Sequence, residues 1–327
     1  MGRRRMIAAI GLGVLQIVVV VSLALAGPDD ATHRAPIGIS APPVVASTVL
    51  KIIDAEPGRP VVARAIATAA AARASVQDGS VVAAVVVDLS SETDILYIAS
   101  ARGTWLNSAV ERQVSAIEGP LGRRVEVRDL VPARAGDAGA RGVFAIVGVL
   151  VILAFAVPIV VTWLRGPVAP TFGLGVLRLA VVSGSSGALG LVAAMVAAGR
   201  YGGDVPGWWL IGTLTVLAGA TTTMALQSLF GVVGIGIAST VFVLAAAPLV
   251  RVGSPLLLPE PWAFITPWLP HGAALDAGIN QAYFGGGNLL PPMLVLLAWT
   301  ALSVLTMVVS RRERTRDHIE SPALALG

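Results

Sequence analysis

The fold class is decided by the stretch GVFAIVGVLVILAFAVPIVVTWL, Gly142 to Leu164, in which no residue is charged. About 20 consecutive apolar residues are enough to cross the ~30 Å hydrocarbon layer of a bilayer as a helix. The pattern recurs and predicts six transmembrane helices: Met6 to Ala26, Gly142 to Leu164, Leu177 to Ala198, Trp208 to Ala225, Phe230 to Val250 and Leu289 to Ser310. We therefore predict an α-helical polytopic membrane protein.

The composition supports this fold class and excludes several others. Hydrophobic residues make up 55% of the 327 positions and charged residues 13%, against roughly 25% charged residues in soluble globular chains. The chain has 0 Cys, and Lys51 is its only lysine. Without thiolates or a basic patch interleaved with aromatic residues, we expect no metal, no cofactor and no nucleic-acid partner.

The charges near the chain ends predict the orientation in the membrane. Arg3 to Arg5 precede the first span, and Arg311, Arg312, Arg314 and Arg316 follow the last one. Because short cytoplasmic segments are enriched in Lys and Arg, both termini are predicted to be cytoplasmic. The sequence Ala24-Leu25-Ala26 also permits cleavage of the first span as a signal peptide, and this alternative stays open.

The long segment between the first two spans alternates strand and helix patterns. Strands are predicted at Pro36 to Ser40, Arg59 to Arg64, Val81 to Leu89, Ile95 to Ala99 and Val125 to Val127, and helices at Pro42 to Ala55, Ala65 to Val76 and Trp105 to Ile117. This order predicts a small extracytoplasmic α/β domain with a mixed sheet. The predicted domains are 1–27 (first span), 28–141 (α/β domain), 142–310 (five further spans, with an outer re-entrant segment at 254–288) and 311–327 (cytoplasmic tail).

Acidic residues of the α/β domain form one candidate cluster. Asp88, Glu92 and Asp94 lie where the Val81 to Leu89 strand ends and the next begins. They predict either a cation site or a solvated turn. No hydrolase motif accompanies them, so we predict that the chain is not an enzyme.

Candidate gate or pathway residues come from two stretches. The first is WLPHGAALDAGINQAYFGGG, Trp268 to Gly287, which carries His271, Asp276, Asn280 and Gln281, and the second carries Thr222 and Gln227 at the end of the fourth span. A gate and a purely structural role are both open for them. Asp276, for example, could interact with the free N–H groups of a helix start. In the third span, Ser183 and Gly187, like Gly184 and Ala188, stand four apart on one helix face. They predict a face for close helix packing, and the lining of a wet pathway is the alternative.

The candidate spans contain no Asp, Glu or His, the residues that carry coupling ions inside membranes. The only lysine lies outside any Gly-Lys-Ser or Gly-Lys-Thr phosphate loop, so this chain is not predicted to hydrolyse ATP. If it transports, a separate ATPase subunit is expected.

The chain resembles the permeases of type 2 ABC exporters and the related Pip/YhgE membrane proteins. The resemblance rests on PIGIS at 36–40, DGSVVAAVVVDL at 78–89 and LPHGAALDAGINQAYFGGG at 269–287, within an arrangement of one span, an outer insertion and five spans. It implies a bacterial plasma-membrane exporter subunit for hydrophobic or amphiphilic substrates. It further implies a separate ABC ATPase and a homodimer or a heterodimer with a second permease. A Pip/YhgE-like surface or scaffold protein without transport is the alternative.

Overall fold

A computed structural model describes most of the chain. The described residues are 32–55, 60–135, 137–166, 169, 171–244, 246, 249 and 253–320, together with 13–14, 16–17 and 21. The predicted first span and its possible cleavage site therefore lie almost wholly outside the described residues.

A five-stranded mixed sheet with three helices forms the N-terminal α/β unit. The strands β1 (Ala35–Ser40), β2 (Val61–Ala65), β3 (Ala83–Val86), β4 (Thr93–Ile98) and β5 (Arg124–Asp129) lie in the order β2-β1-β3-β4-β5. All neighbours pair in parallel except β3 and β4, which are antiparallel. The helices are α1 (Pro43–Ala55), α2 (Ala69–Gln77) and α3 (Thr104–Glu118). The predicted elements, including the edge strand β5, are confirmed.

Strand β3 explains how the sheet joins two hydrophobic cores. Successive residues of a strand point to opposite faces. Ala83 and Val85 accordingly pack with Leu106 and Val110 of α3, whereas Ala84 packs with Val76 of α2. The core that contains Ala84 and Val76 continues into the helical bundle. Strand β3 is therefore buried on both faces, as the continuous apolar run Val81 to Leu89 predicted.

Four described helices are long and apolar enough to cross a membrane. They are α4 (Arg141–Arg165), α5 (Phe172–Tyr201), α6 (Val205–Phe230) and the first part of α10 (Leu290–Glu320), as far as Arg311. In α6, 67% of the most apolar window is buried inside the protein, against 22–39% in the other three. Helix α6 is therefore the central one of these four described helices.

The predicted fifth span is not among these four helices. Phe230, where it begins, is the last residue of α6, and Val233–Ser239 forms α7, which continues into a π-helical turn at Thr240–Leu244. Of residues 245–252, only 246 and 249 are described. A membrane-crossing segment at Phe230 to Val250 thus stays a prediction, as does the total of six spans.

Helices α5 and α6 cross closely at two glycines. A Cβ built on Gly190 would lie 2.5 Å from the backbone nitrogen of Thr213, and one on Gly212 would lie 2.9 Å from the Cα of Gly190. The buried face of α5 runs through Val182, Ser186, Gly190 and Ala194. The prediction that Ser183, Gly184 and Ala188 pack is wrong within the described residues, because all three are exposed. Gly187, the fourth residue of the predicted face, is half-buried, and its carbonyl oxygen accepts from Trp209 of α6.

The segment predicted as re-entrant folds as short helices between the α/β unit and the bundle. It contains a 3-10 turn at Pro255–Leu257, α8 (Trp262–Ile265), a second 3-10 turn at Thr266–Trp268 and α9 (Pro270–Tyr283). Leu257 and Ala263 belong to the core of the α/β unit, whereas Ala274 and Ile279 belong to the core shared with the bundle. The segment therefore links the two parts of the protein. We call this end of the bundle the sheet end and the other the opposite end.

Candidate functional site

Helix α9 lies deep in the protein because its residues are small. Pro270 stands at its first turn, where a missing N–H costs nothing. A Cβ on Gly278 would meet Val143 Cγ1 at 2.8 Å, and one on Gly272 would meet the Thr266 carbonyl oxygen at 2.0 Å. Larger residues at these positions would push α9 away from α4 and from the preceding turn. This close fit fixes the polar side chains of α9.

A cleft of about 750 Å³ opens at the sheet end, between the α/β unit, α9 and the start of α10. Its volume lies within the range of roughly 300–1,000 Å³ that is usual for ligand pockets. Most of its walls are apolar, formed by side chains such as Leu106, Trp268 and Val295. Arg102 and Asp276 are the charged residues that line it. The cleft is suited to a largely apolar ligand with one polar group.

Arg102 and Asp276 face each other across this cleft. The Arg102 Nη1 lies 3.9 Å from Asp276 Oδ1, and Nη2 donates to the carbonyl oxygen of Gly79 at 2.6 Å. The guanidinium also stacks over the Phe284 ring, 4.7 Å from its centroid. Arg102 is thus held by α9 and by the loop after α2, and it connects the two.

The charge state of the pair depends on each partner. Burial raises the pKa of Asp276, while the charge of Arg102 and the hydrogen bond from Asn280 lower it. Burial likewise lowers the pKa of Arg102, opposed by Asp276 and Asp78. The Asp276 side chain keeps 45% of its surface open toward the cleft, and access to solvent there moderates the effect of burial. In each partner, the charge of the other thus opposes the effect of burial.

The predicted interaction of Asp276 with the start of its helix is wrong. Helix α9 begins at Pro270, which places Asp276 more than one turn inside it. The free N–H groups of the first turn are therefore out of reach. Asp276 instead accepts from the Asn280 Nδ2 at 3.2 Å and faces Arg102.

Asn280 is fully buried beneath the cleft. Its Nδ2 also donates to the Asp276 carbonyl oxygen at 2.9 Å, whereas its Oδ1 has no hydrogen-bond partner within the described part of the chain. Gly79, at φ +75°, comes close to this oxygen: a Cβ there would lie 3.1 Å from it. The structure therefore brings Asp276 and Asn280 together, as their spacing predicted.

Gln281 fixes α9 to the bundle. Its Nε2 donates to Asp204 Oδ1 at 2.6 Å, and the same carboxylate oxygen accepts the N–H of Gly207 at 2.8 Å as the N-cap of α6. Gln281 is 4% exposed. Its contacts are those of a residue that positions α9, and a direct gate role stays a prediction.

His271 lies apart from these groups. It is buried at the start of α9, 2% exposed, and is not among the residues that line the cleft. Among the residues whose placement is described, no three His, Cys, Asp or Glu side chains come together in a way that could hold a metal ion. Of the four residues predicted on α9, Asp276 therefore lines the cleft, Asn280 lies beneath it in contact with Asp276, Gln281 binds Asp204, and His271 lies apart.

Thr222 and Gln227 lie in the bundle, away from the cleft. Thr222 shares a hydrogen bond of 2.9 Å with Ser303 of α10, and Gln227 Oε1 accepts from Thr162 of α4 at 3.1 Å. Gln227 lines a second cavity, of about 330 Å³, at the opposite end. These two predicted residues therefore mark contacts of the central helix rather than the cleft itself.

The acidic residues of the α/β unit do not form one cluster. Asp88 and Glu92 are exposed at the turn between β3 and β4, as the solvated-turn alternative predicted, whereas Asp94 is not. Asp94 is fully buried, and Arg123 donates to both of its oxygens, with Nη2 2.6 Å from Oδ1. Arg123 also donates to the carbonyl oxygens of Asp88 and Ser91. An arginine from the loop before β5 thus occupies the place where a cation was considered.

The residues that the sequence did not single out are Arg102, Asp204 and Arg123. Asp204 carries a local signal, since an acid before Val-Pro is typical of a helix N-cap. Arg102 and Arg123 carry none, because their partners are far away in the chain. Comparisons of this chain with family models, with curated proteins and with solved structures found no match.

Proposed function

We propose that the chain is the integral membrane permease subunit of an ABC-type exporter in a bacterial plasma membrane. In this proposal it works as a homodimer or as a heterodimer with a second permease. A separate ATPase subunit supplies the energy, and a hydrophobic or amphiphilic substrate moves outward.

One observation carries the proposal: largely apolar cavities with arginine in their walls lie at both ends of the bundle. The cleft at the sheet end holds Arg102, and the cavity at the opposite end holds Arg178 and Arg311. The contact between α6 and α10, which includes the Thr222–Ser303 hydrogen bond, stands between them. A bundle that served only as an anchor would not need a cavity at each end.

The charges of the spanning helices favour an external energy source. The four helices α4, α5, α6 and the apolar part of α10 contain no Asp, Glu, Lys or His, and all of them except α6 contain Arg. Ion-coupled carriers place acidic or His residues inside the membrane to bind the coupling ion. Because these helices lack such residues, a partner subunit that hydrolyses ATP is the energy source that we propose.

In the proposed cycle, the substrate leaves through the cleft at the sheet end. Closure of the ATPase subunits would separate α6 from α10 and open a path between the cavities. The Arg102–Asp276 pair would hold α9 over the exit until the α/β unit moves. Thr222, Gln227, Asp276 and Asn280 are the residues we assign to this path, with Gln281 and His271 supporting α9.

Purification from native membranes after mild cross-linking tests the proposal. We expect an ATPase subunit to co-purify, and reconstituted complexes to move a fluorescent amphiphile in an ATP-dependent way. A complex whose ATPase carries an inactivated catalytic glutamate is the control. Absence of any ATPase, together with amphiphile export that is unchanged after deletion of this chain, would overturn the proposal.

A second candidate is a Pip/YhgE-like surface or scaffold protein that binds envelope components without transport. The observation in its favour is that the α/β unit itself bounds the cleft of about 750 Å³, the larger of the two cavities. In this case filling the cavity at the opposite end, for example by Met224→Trp, would leave the cellular phenotype unchanged.

A further inference from the structure

The cavity at the opposite end of the bundle has mostly apolar walls and two arginines, Arg178 and Arg311, among its lining residues. Its volume is about 330 Å³, and it lies between the ends of α4 and α6, the start of α5 and the middle of α10. Pro158, Leu179, Val304 and Met307 are among its apolar lining residues, and none of the lining residues is acidic. A ligand of matching chemistry is apolar over most of its surface and negatively charged at one point.

Arg178 is the first cationic group. It is 6% exposed, and its Nη2 donates to the backbone carbonyl oxygen of Arg165. Its Nε has no hydrogen-bond partner, and no carboxylate lies within ion-pair distance, among the residues that the structure describes. A buried guanidinium without a counter-ion is costly, particularly in a membrane protein. An anion in the cavity would remove that cost.

Arg311 forms the facing wall. Its guanidinium stacks over the Phe172 ring at 5.6 Å. It also lies against Gly175, where a Cβ would come within 2.9 Å of its Nη1. Gly175 thus leaves room for the Arg311 side chain to lie against α5, the helix that carries Arg178.

A buried amide adds a third donor. Gln227 is 1% exposed and lines the cavity, and its Nε2 has no hydrogen-bond partner within the described residues. An unpartnered buried donor costs free energy unless a ligand satisfies it. Two guanidinium groups and one amide would together satisfy an anion with several oxygens, such as a phosphate or a carboxylate.

The cavity is reached from the side of the bundle. Phe172, Val176 and Val308, which line it, are 69%, 50% and 39% exposed. They belong to the outer surfaces of α5 and α10, which face lipid if these helices cross a membrane. An occupant with an apolar tail can therefore enter from the bilayer while its head meets the arginines.

From these contacts we propose that the cavity is a binding site for an anionic amphiphile of the bilayer, with a phosphate or carboxylate head held by Arg178, Arg311 and Gln227. The apolar walls take the first part of its acyl chain. The site does not depend on transport, because the same groups would bind the lipid in a permease or in a scaffold protein.

Binding to the purified full-length chain, in detergent and without any ATPase, tests this inference separately from the proposed function. The probes are phosphatidic acid, phosphatidylcholine with the same acyl chains, and inorganic phosphate. We expect phosphatidic acid to bind about 10-fold or more tightly than phosphatidylcholine, because a charge-assisted hydrogen bond is worth enough for such a ratio. Inorganic phosphate is expected not to displace it at equal concentration.

Matched variants identify the groups. Arg178→Gln and Arg311→Gln should each weaken phosphatidic acid binding by about 10-fold, whereas Arg200→Gln, an exposed arginine at the other end of α5, should not. If Arg178→Gln fails to fold, Arg311→Gln and Gln227→Leu provide the same comparison. Equal binding of the two lipids, unchanged binding in these variants, or full displacement by inorganic phosphate would overturn the inference.

Discussion

Arg102 of the α/β unit and Asp276 of α9 form an ion pair across the cleft at the sheet end, with Nη1 3.9 Å from Oδ1. Arg102 has 14% of its side chain exposed, whereas Asp276 has 45%. Arg102 therefore depends more on the ion pair than Asp276 does, because less of its charge can be solvated by water. Removing either group affects the other because both are partly taken out of water.

The first prediction concerns this pair. Asp276→Asn leaves the buried guanidinium without a counter-ion, and we expect a loss of about 1–2 kcal/mol in the free energy of unfolding, less than for a fully buried pair. The double variant Arg102→Met with Asp276→Asn should recover part of the loss. Thermal unfolding of the four proteins in detergent gives the coupling energy. Strictly additive effects would show that the pair is not coupled.

The link between α9 and the bundle leads to a second prediction. Gln281 donates to the Asp204 carboxylate at 2.6 Å. Hydrogen bonds to charged groups contribute about 1.5–3 kcal/mol. Gln281→Leu should therefore lower the thermal midpoint clearly, and Gln281→Glu should lower it more by placing a second carboxylate beside Asp204.

Gln77→Leu is the control for this change, since Gln77 is exposed at the end of α2. Its midpoint should stay within error of that of the unchanged protein. Equal midpoints for the Gln77 and Gln281 variants would show that the contact with Asp204 does not hold α9 in place.

The third prediction is a pH dependence in the α/β unit. Burial, followed by the charge of Asp94, raises the pKa of Glu118 to about 7, against an ordinary value of 4.5. The folded state thus holds this proton when the unfolded chain has already released it. The stability contributed by the protonated acid is present below pH 4.5 and is lost as the pH rises toward 7.

Glu118→Gln mimics the protonated acid at every pH. Relative to the unchanged protein, its thermal midpoint should be equal at pH 4 and should rise progressively between pH 4.5 and 7. Glu126→Gln is the control of opposite sign, because the hydrogen bond from Arg128 lowers the pKa of the exposed Glu126. A pH-independent difference for Glu118→Gln would contradict the assignment.

The α/β unit could be predicted because its signals are local. The alternation in PIGIS, the continuous apolar run after Asp78-Gly79 and the Pro at the start of α1 each lie within a few residues of the structure that they determine. The face of α5 could not be predicted in this way. Both Ser183 with Gly187 and Ser186 with Gly190 are small pairs four apart, and only the position of α6 decides between them.

The candidate site was predicted in part for the same reason. Asp276 and Asn280 stand four apart on one helix, so their proximity follows from their spacing. Arg102 lies in a loop of another part of the chain, and its contact with Asp276 arises only when the α/β unit docks on α9. The cationic cavity depends likewise on three helices that bring Arg178, Gln227 and Arg311 together.

The last prediction tests the crossing of α5 and α6. A Cβ on Gly190 would come within 2.5 Å of the Thr213 backbone nitrogen, a contact with backbone that a rotamer change cannot relieve. We expect Gly190→Ala to lower the free energy of unfolding by about 1–3 kcal/mol, the usual range for overpacking.

Gly184→Ala is the matched control on the same helix, where a Cβ meets no heavy atom within 4 Å. Its thermal midpoint should be unchanged or slightly higher, because alanine favours helix more than glycine does. If Gly184→Ala were the more damaging of the two, the face of α5 that packs in the assembled protein would be the predicted one that carries Gly184 and Ala188, and the crossing at Gly190 would not be the main contact.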